Sequence, residues 1–337
     1  MKALRLHEHG GPEQLHLETV PEPVAAAGEA VVEVRACALN HLDLFIRQGM
    51  AGVKIGLPRI LGSDIAGVDA STGERVVVAP GIGCGHCHFC LDGRDNECRD
   101  YQVFGYQRDG GYAERIAVPR RALVAMPANL DFVQAASAPL VFLTAWNMLV
   151  RRAHIQPGQT VLVWAASSGV GIAAVQIAKF WGARVIATAG SERKLELARQ
   201  LGAEAAIDHY DRSRPVARAV RELAPEGVDI VIEHVGQASW EQSLRALAPN
   251  GTLVTCGATT GHDAKIDLRF LFSKQWRLKG SYMGRRADVD TVLAFIGQGK
   301  LRPVVDRTFR LAEAADAHRY LAEQKQFGKV VLTDDSG

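Results

Sequence analysis

A two-domain α/β protein is what this sequence of 337 residues predicts: a β-rich, barrel-like domain assembled from both ends of the chain, with a doubly wound parallel sheet between them. Three patterns carry that expectation. Up to about residue 120, short alternating or β-branched runs (Ala30 to Arg35, Arg75 to Ala79, Tyr112 to Val118) are separated by Gly and Pro, as in a compact barrel. After Pro127, long helical stretches alternate with the apolar runs Thr160 to Ala165, Arg184 to Thr188, Asp229 to Glu233 and Thr252 to Cys256. Strands buried on both faces and spaced by helices form parallel sheets. Beyond about residue 268 the chain returns to mixed structure and closes on the strand Lys329 to Thr333, which completes the first domain. The expected boundaries are 1–123 with 268–337 for the barrel, and 124–267 for the parallel sheet.

The composition narrows the function. An apolar fraction of 47% can bury two cores. With 39 Lys plus Arg against 37 Asp plus Glu, the formal charge of +2 offers no broad field to nucleic acid or anionic lipid, so a small-molecule ligand is expected. His, Glu and Gly interrupt Met1 to Pro12, where a secretion signal needs an unbroken apolar stretch, and no apolar run of about 18 residues occurs. A cytoplasmic, membrane-free protein is the expectation.

The run Val161 to Ala165 leads into Ala166-Ser167-Ser168-Gly169-Val170-Gly171 and then a helix, the order a dinucleotide site requires. Small residues let the backbone approach a pyrophosphate, and the first amides of the helix point at its charge. In a strict G-x-G-x-x-G the glycines would stand at Ala166, Ser168 and Gly171. Two are replaced: Ala166 is tolerated if its φ is negative, and the Ser168 hydroxyl is a candidate phosphate donor. The helix is expected to pack Val170, Ala174, Ile177 and Ala178, and the next runs from an N-cap at Ser191 through Lys194 to Gln200, stopping at Gly202. About 20 residues after the loop, an NAD site places a carboxylate for the ribose 2′-hydroxyl. Here the tip reads Gly190-Ser191-Glu192-Arg193-Lys194, with space, a hydroxyl and two cations suited to a 2′-phosphate, so NADP(H) is expected.

Four of the six cysteines fall in one Gly-rich loop, as Cys84-x2-Cys87-x2-Cys90-x7-Cys98. Four thiolates complete a tetrahedral zinc shell and leave no open position, so one structural Zn2+ per chain is expected in the lobe 84–98. His86 and His88 lie inside it and read first as exposed loop histidines, with substitution for a thiol as the alternative. Such metal binding is worth on the order of 10 kcal/mol, so the loop needs its ion to stay ordered.

The cysteine lobe, Leu61-Gly62-Ser63-Asp64-Ile65-Ala66-Gly67, Gly110-Gly111-Tyr112-Ala113-Glu114 and Ser168-Gly169-Val170-Gly171 together resemble the motifs of the zinc-containing medium-chain dehydrogenase/reductase superfamily. The resemblance spans essentially the whole chain. It implies a GroES-like β-barrel catalytic domain from the chain ends, a Rossmann domain between, and a cleft where a nicotinamide meets substrate. Alcohol dehydrogenases of the family hold a catalytic zinc through a Cys, a His and a second Cys. The matching positions here are Asn40, Ser63 and Leu140, none of them a soft or imidazole ligand. A shifted site from Cys37, His41 and Asp64 is the alternative. The segment Ala38-Leu39-Asn40-His41-Leu42-Asp43 resembles instead the quinone oxidoreductase branch, which works without catalytic zinc and often without the cysteine lobe.

The resemblance also implies site residues. Asn40 would face the nicotinamide and donate its amide to a nascent oxyanion, and Asp43 would orient neighbouring polar groups. Thr144, Val235, Gly257, Ala258, Tyr282 and Met283 would join Ser168, Gly169, Val170, Gly171, Gly190, Ser191, Arg193 and Lys194 around the cofactor. Tyr106, Tyr112 or water is the proton donor. The edge 251–258 and 278–283 resembles the family's subunit contact, implying a homodimer or homotetramer. Without a Lewis acid, hydride delivery favours a quinone or an enone, which spreads the incoming charge by conjugation. NADPH-dependent reduction of such an acceptor is therefore expected. An alcohol dehydrogenase with unusual zinc ligands and a non-enzymatic NADPH-binding protein are the alternatives.

Overall fold

The computed structural model describes residues 1–334. The chain divides into two compact units, 1–143 together with the stretch from 285 onward, and 144–284. Both divisions fall later than the expected boundaries at 123/124 and 267/268. The reason is packing: helix Phe132–Ala136 lies on strands Glu29–Ala38 and Asp64–Asp69 of the first unit, and strand Arg277–Gly280 extends the sheet of the second.

The first unit is organised around the strand Glu29–Ala38. It pairs antiparallel with Asp64–Asp69, Arg115–Pro119 and Lys329–Thr333. Arg75–Val78 and Leu123–Ala125 continue the sheet on one side, and Val305–Arg310 continues it on the other, parallel to Lys329–Thr333. Glu29–Ala38 alternates half-buried and buried residues until its last three, Ala36, Cys37 and Ala38, which are all buried. Period-two patterning thus gives way to full burial as the strand reaches Asn40. Leu6, Val34, Ile65, Val78, Phe104 and Leu332 are among the side chains of one apolar core. Helix His41–Gln48 follows the central strand, and its first turn is fixed by Asp43, whose Oδ2 accepts from the Asn40 backbone N–H at 2.7 Å. Because Leu39 N–H bonds to Val330 O at 2.8 Å, residue 329 is brought beside residue 40.

The second unit is a six-stranded sheet in the order Ala205–Asp208, Arg184–Ala189, Thr160–Val163, Val228–Glu233, Leu247–Thr255, Arg277–Gly280, all parallel. Numbered along the chain this is 3-2-1-4-5-6, the doubly wound arrangement in which the order of the strands reverses between the first and the fourth while all stay parallel. Ala205–Asp208 lies outside the expected set because an edge strand need not be fully apolar, and it is only partly buried. Helix Gly169–Phe180 is buried on nearly every side from Gly171 to Ala178, whereas Val170, assigned by periodicity to the packing face, is half-exposed. Helix Glu192–Gln200 follows Ser191 and ends before Gly202, whose φ of +116° suits a residue without a side chain. Among the described residues, no helix is long and apolar enough to cross a membrane.

Candidate active site and metal centre

In the second unit, the loops that leave the C-terminal ends of parallel strands share one edge of the sheet, and they hold most of the expected cofactor residues. Gly171 is needed for contact: a Cβ there would stand 2.4 Å from Ala165 O, so only glycine lets the helix approach the strand this closely. Ala166 is not among the residues with positive φ. The strained position is its neighbour Ala165, at φ +44°, a conformation that costs a side-chain-bearing residue about 1–2 kcal/mol. Ser168 caps the helix, its Oγ accepting from Gly171 N–H at 3.0 Å, so this oxygen is occupied and only its proton is left for a phosphate. His234 Nε2 lies 2.9 Å from Trp164 O and 3.5 Å from that hydroxyl, and burial holds its pKa below the usual histidine range.

At the next strand end, Gly190 is walled by residues the sequence reading did not single out. A Cβ at Gly190 would come within 2.4 Å of the Tyr210 ring and 3.0 Å of His209 Nε2. Ser191 and Arg193 are exposed and Lys194 is half-buried, on the first turn of their helix. The Asp208 carboxylate, at the end of the adjacent strand, accepts from Tyr210 N–H at 2.8 Å. Val235 follows strand Val228–Glu233, Gly257 and Ala258 follow Leu247–Thr255, and Tyr282 and Met283 follow Arg277–Gly280. Thr144 differs, being buried within helix Pro139–Trp146. The loop at Val235 is pinned by Glu233, a fully buried carboxylate that accepts from Val235 N–H (2.6 Å), Gly236 N–H (3.1 Å), Ser239 Oγ (2.8 Å) and Ser243 Oγ (2.5 Å). Four donors satisfy a charge that would otherwise be costly to bury.

In the first unit, the sulfurs of Cys84, Cys87, Cys90 and Cys98 all lie within 4.8 Å of one another. The spacing fits one tetrahedral zinc: Zn–S bonds of about 2.3 Å place sulfurs about 3.8 Å apart, and Cys84 Sγ is 3.9 Å from Cys90 Sγ. All six cysteines are free. Backbone N–H groups of His86 and Cys87 lower the Cys84 thiol to about 6, while burial pushes Cys90 up to about 12. One thiol is thus ready to ionise and another needs the ion's own charge to do so. His86 and His88 are exposed and stand outside the set. The lobe is fastened through Asp95, which accepts from Arg286 N–H at 2.9 Å.

The second cluster of the first unit contains both expected catalytic residues, in company the sequence did not disclose. Lys329 Nζ donates to Asn40 Oδ1 at 2.6 Å and to Asp64 Oδ2 at 2.8 Å. Asn40 Nδ2 donates to Asp64 Oδ2 at 3.0 Å, and Asp64 Oδ1 accepts from Leu140 N–H at 2.7 Å. Asp64 is fully buried and only 4% of the Lys329 side chain is exposed. Ser63 turns away, donating to Phe104 O at 2.7 Å. The positions 40, 63 and 140 therefore deliver an amide, a committed hydroxyl and a backbone N–H, and the last meets a carboxylate already paired with an ammonium. Asp43 is also fully buried, accepting from Asn40 N–H and Gly62 N–H, and burial raises it to about 6. Gly62 has φ +95° and leaves no room for a side chain against Tyr112 and Cys37.

Three expectations change here. The Asn40 amide is engaged at both ends, with Lys329 and Asp64, so it is not a free donor. Tyr112 is no proton donor to a ligand: it is fully buried, its hydroxyl lies 3.2 Å from His318 Nε2, and burial holds its pKa well above the ordinary phenol value. The shifted metal set does not assemble either. Cys37 is a core thiol beside Gly62 and Gly111, and the described residues hold one convergent group of three or more such ligands, the four cysteines of the lobe.

Comparison with known proteins matches residues 26–128 to the alcohol dehydrogenase GroES-like domain and residues 169–298 to the zinc-binding dehydrogenase family. A solved NAD-dependent alcohol dehydrogenase superposes with a TM-score of 0.95 at 42% identity, covering 99% of each chain. The acryloyl-coenzyme A reductase of Metallosphaera sedula is 30% identical over 99% of this chain and 100% of its own. The quinone oxidoreductase of Pongo abelii is 28% identical over 98% of this chain and 97% of its own.

Proposed function

Because this chain belongs to the medium-chain dehydrogenase/reductase superfamily and so to a family of oxidoreductases, we propose that it reduces a quinone or an α,β-unsaturated carbonyl with NADPH, without a catalytic metal. The observation that carries this reading is the Lys329–Asp64–Asn40 cluster. A divalent ion placed there would be repelled by the ammonium and would find no thiolate or imidazole, and positions 63 and 140 offer it nothing. A conjugated acceptor needs no Lewis acid to disperse the arriving electron pair.

The bound dihydronicotinamide would supply a hydride to the conjugated carbon, leaving a pyridinium, while the acceptor's π pair moves to oxygen and solvent provides the balancing proton. The chain's own contribution is to bind and orient. Helix Gly169–Phe180 offers its N-terminal amides to the pyrophosphate. Gly190, Ser191, Arg193 and Lys194, with Tyr210 alongside, suit a 2′-phosphate, and no carboxylate occupies Gly190 or Ser191 to claim a 2′-hydroxyl. Val235, Gly257, Ala258, Tyr282, Met283 and Thr144 are assigned to the rest of the cofactor. Cys84, Cys87, Cys90 and Cys98 are assigned one structural zinc, and their free thiols accord with a reducing, cytoplasmic location. Exposed Leu268, Phe270, Phe272 and Tyr282 flank the edge strand Arg277–Gly280, which supports self-association as a homodimer or homotetramer.

Metal analysis and a substrate panel test this together. The expected result is one zinc per chain, with quinone or enone reduction faster with NADPH than with NADH. The 42%-identical alcohol dehydrogenase favours a second reading, alcohol oxidation through unusual zinc ligands. Two zincs per chain with turnover of simple alcohols would establish it. Tight NADPH binding without turnover on any quinone, enone or aldehyde would point to a non-enzymatic binding protein.

A further inference from the structure

The elements that carry positions 40, 63 and 140 converge on a cation that belongs to the protein. Asn40 Oδ1 and Asp64 Oδ2 hold Lys329 Nζ at 2.6 and 2.8 Å, and Leu140 N–H fixes the other oxygen of Asp64 at 2.7 Å. An ammonium has three N–H donors, and two are spent on these partners. The Lys329 side chain keeps 4% of its exposure while Asp64 has none, so of the two it is the lysine that meets solvent. A buried pair of this kind is hard to explain by stability alone, since apolar residues of similar size often do as well or better.

We infer that Lys329 provides the fixed positive charge that stabilises electron density arriving on the acceptor's oxygen, with Asn40 and Asp64 acting as its positioning residues. The inference rests on the reductase reading above and gives this cluster a role in the step: the oxygen that gains the π pair is drawn to the unspent N–H. Preorganised donors of this type act in a dry site at no cost of reorganisation. The earlier expectation that the Asn40 amide itself meets the oxyanion is replaced by one in which the amide clamps the ammonium.

The test uses full-length, zinc-loaded protein and compares Lys329→Met, Lys329→Arg and the charge-free double variant Lys329→Met/Asp64→Asn. The double variant leaves no unpaired charge, which keeps the fold available should Lys329→Met unfold. Expected for the double variant is a loss of about 100-fold in kcat, with the Kd for NADPH within threefold of wild type and the melting temperature largely recovered. The primary isotope effect with 4-deuterated NADPH should rise as hydride transfer becomes limiting. The deficit should deepen from quinones to simple enones, which disperse charge less well, and added alkylammonium ions should partly restore turnover. Return of full turnover in the double variant would overturn the inference, because the lysine would then serve only to neutralise Asp64. So would a loss confined to NADPH affinity. If wild-type protein reduces no quinone or enone at all, the reductase reading fails and takes the inference with it; wild-type turnover with an unimpaired double variant sinks the inference alone.

Discussion

The cysteine lobe and the Asn40–Asp64–Lys329 cluster sit in the same unit and are built in opposite ways. The lobe draws its four thiols from residues 84–98 and closes on them through local turns. The cluster joins the end of one strand, the start of another and a lysine that lies 265 residues after Asp64. The lobe presents four thiols that a bound cation would charge and organise, whereas the cluster carries a cation of its own. A metal site is thus written as spacing, and a protein-borne charge is written as topology.

Breaking the lobe should have the largest effect. Cys98→Ser, or chelation of the ion, forfeits binding worth on the order of 10 kcal/mol; the expected outcome is zinc loss from one per chain to none and rapid proteolysis within 84–98, read by metal analysis and mass spectrometry. Breaking the cluster should cost less. Asp64→Asn leaves the Lys329 ammonium buried without its counter-charge, a penalty of about 3–5 kcal/mol in urea unfolding, and adding Lys329→Met should recover most of it. If Asp64→Asn alone were neutral, the cluster would not be the tightly matched pair described here.

The smallest expected effect concerns Asp43, which supports the cluster through Asn40 N–H and Gly62 N–H. Burial raises its folded pKa from 3.8 to about 6. Between these values the folded chain holds a proton that the unfolded chain has released, so the contribution is complete below pH 3.8 and is lost as pH rises through 6. The difference in unfolding free energy between wild type and Asp43→Asn should therefore fall by about 2 kcal/mol from pH 4 to pH 7. Taking the difference cancels acid release of zinc, common to both proteins. His318, held near 3 by burial, contributes with the opposite sign and loses stability as pH falls below 6.5. A flat difference for Asp43 would mean that its carboxylate is solvated.

The same contrast governs what could be read beforehand. Local signals were legible: the four-cysteine spacing, the strand-loop-helix at Ala165 to Gly171, the helix start after Ser191 (whose side chain makes no capping bond) and the stop at Gly202 all depend on neighbours in sequence. Partial burial hid the edge strand Ala205–Asp208, and packing rather than pattern moved the unit boundaries to 143/144 and 284/285. At the cluster, resemblance pointed to Asn40 and Asp43 but not to Lys329. A single lysine opening an apolar strand reads as an ordinary edge residue, and only the pairing of Lys329–Thr333 with Glu29–Ala38 turns it inward. Tyr210 and His209 were missed for the same reason, since they adjoin Gly190 only once two parallel strands lie side by side.

That the strand Lys329–Thr333 supplies both the last partner for Glu29–Ala38 and the counter-charge for Asp64 bears on how the protein is made. During synthesis from the N-terminus, Asp64 emerges hundreds of residues before its lysine, and until then the first unit has an open strand edge and a carboxylate with no cation to face. The second unit, whose six strands are contiguous in sequence, can close while the ribosome is still translating. A polypeptide cut short before residue 329 should accordingly display a folded parallel-sheet half attached to an unfinished barrel, a form that cellular proteases can tell from the finished one.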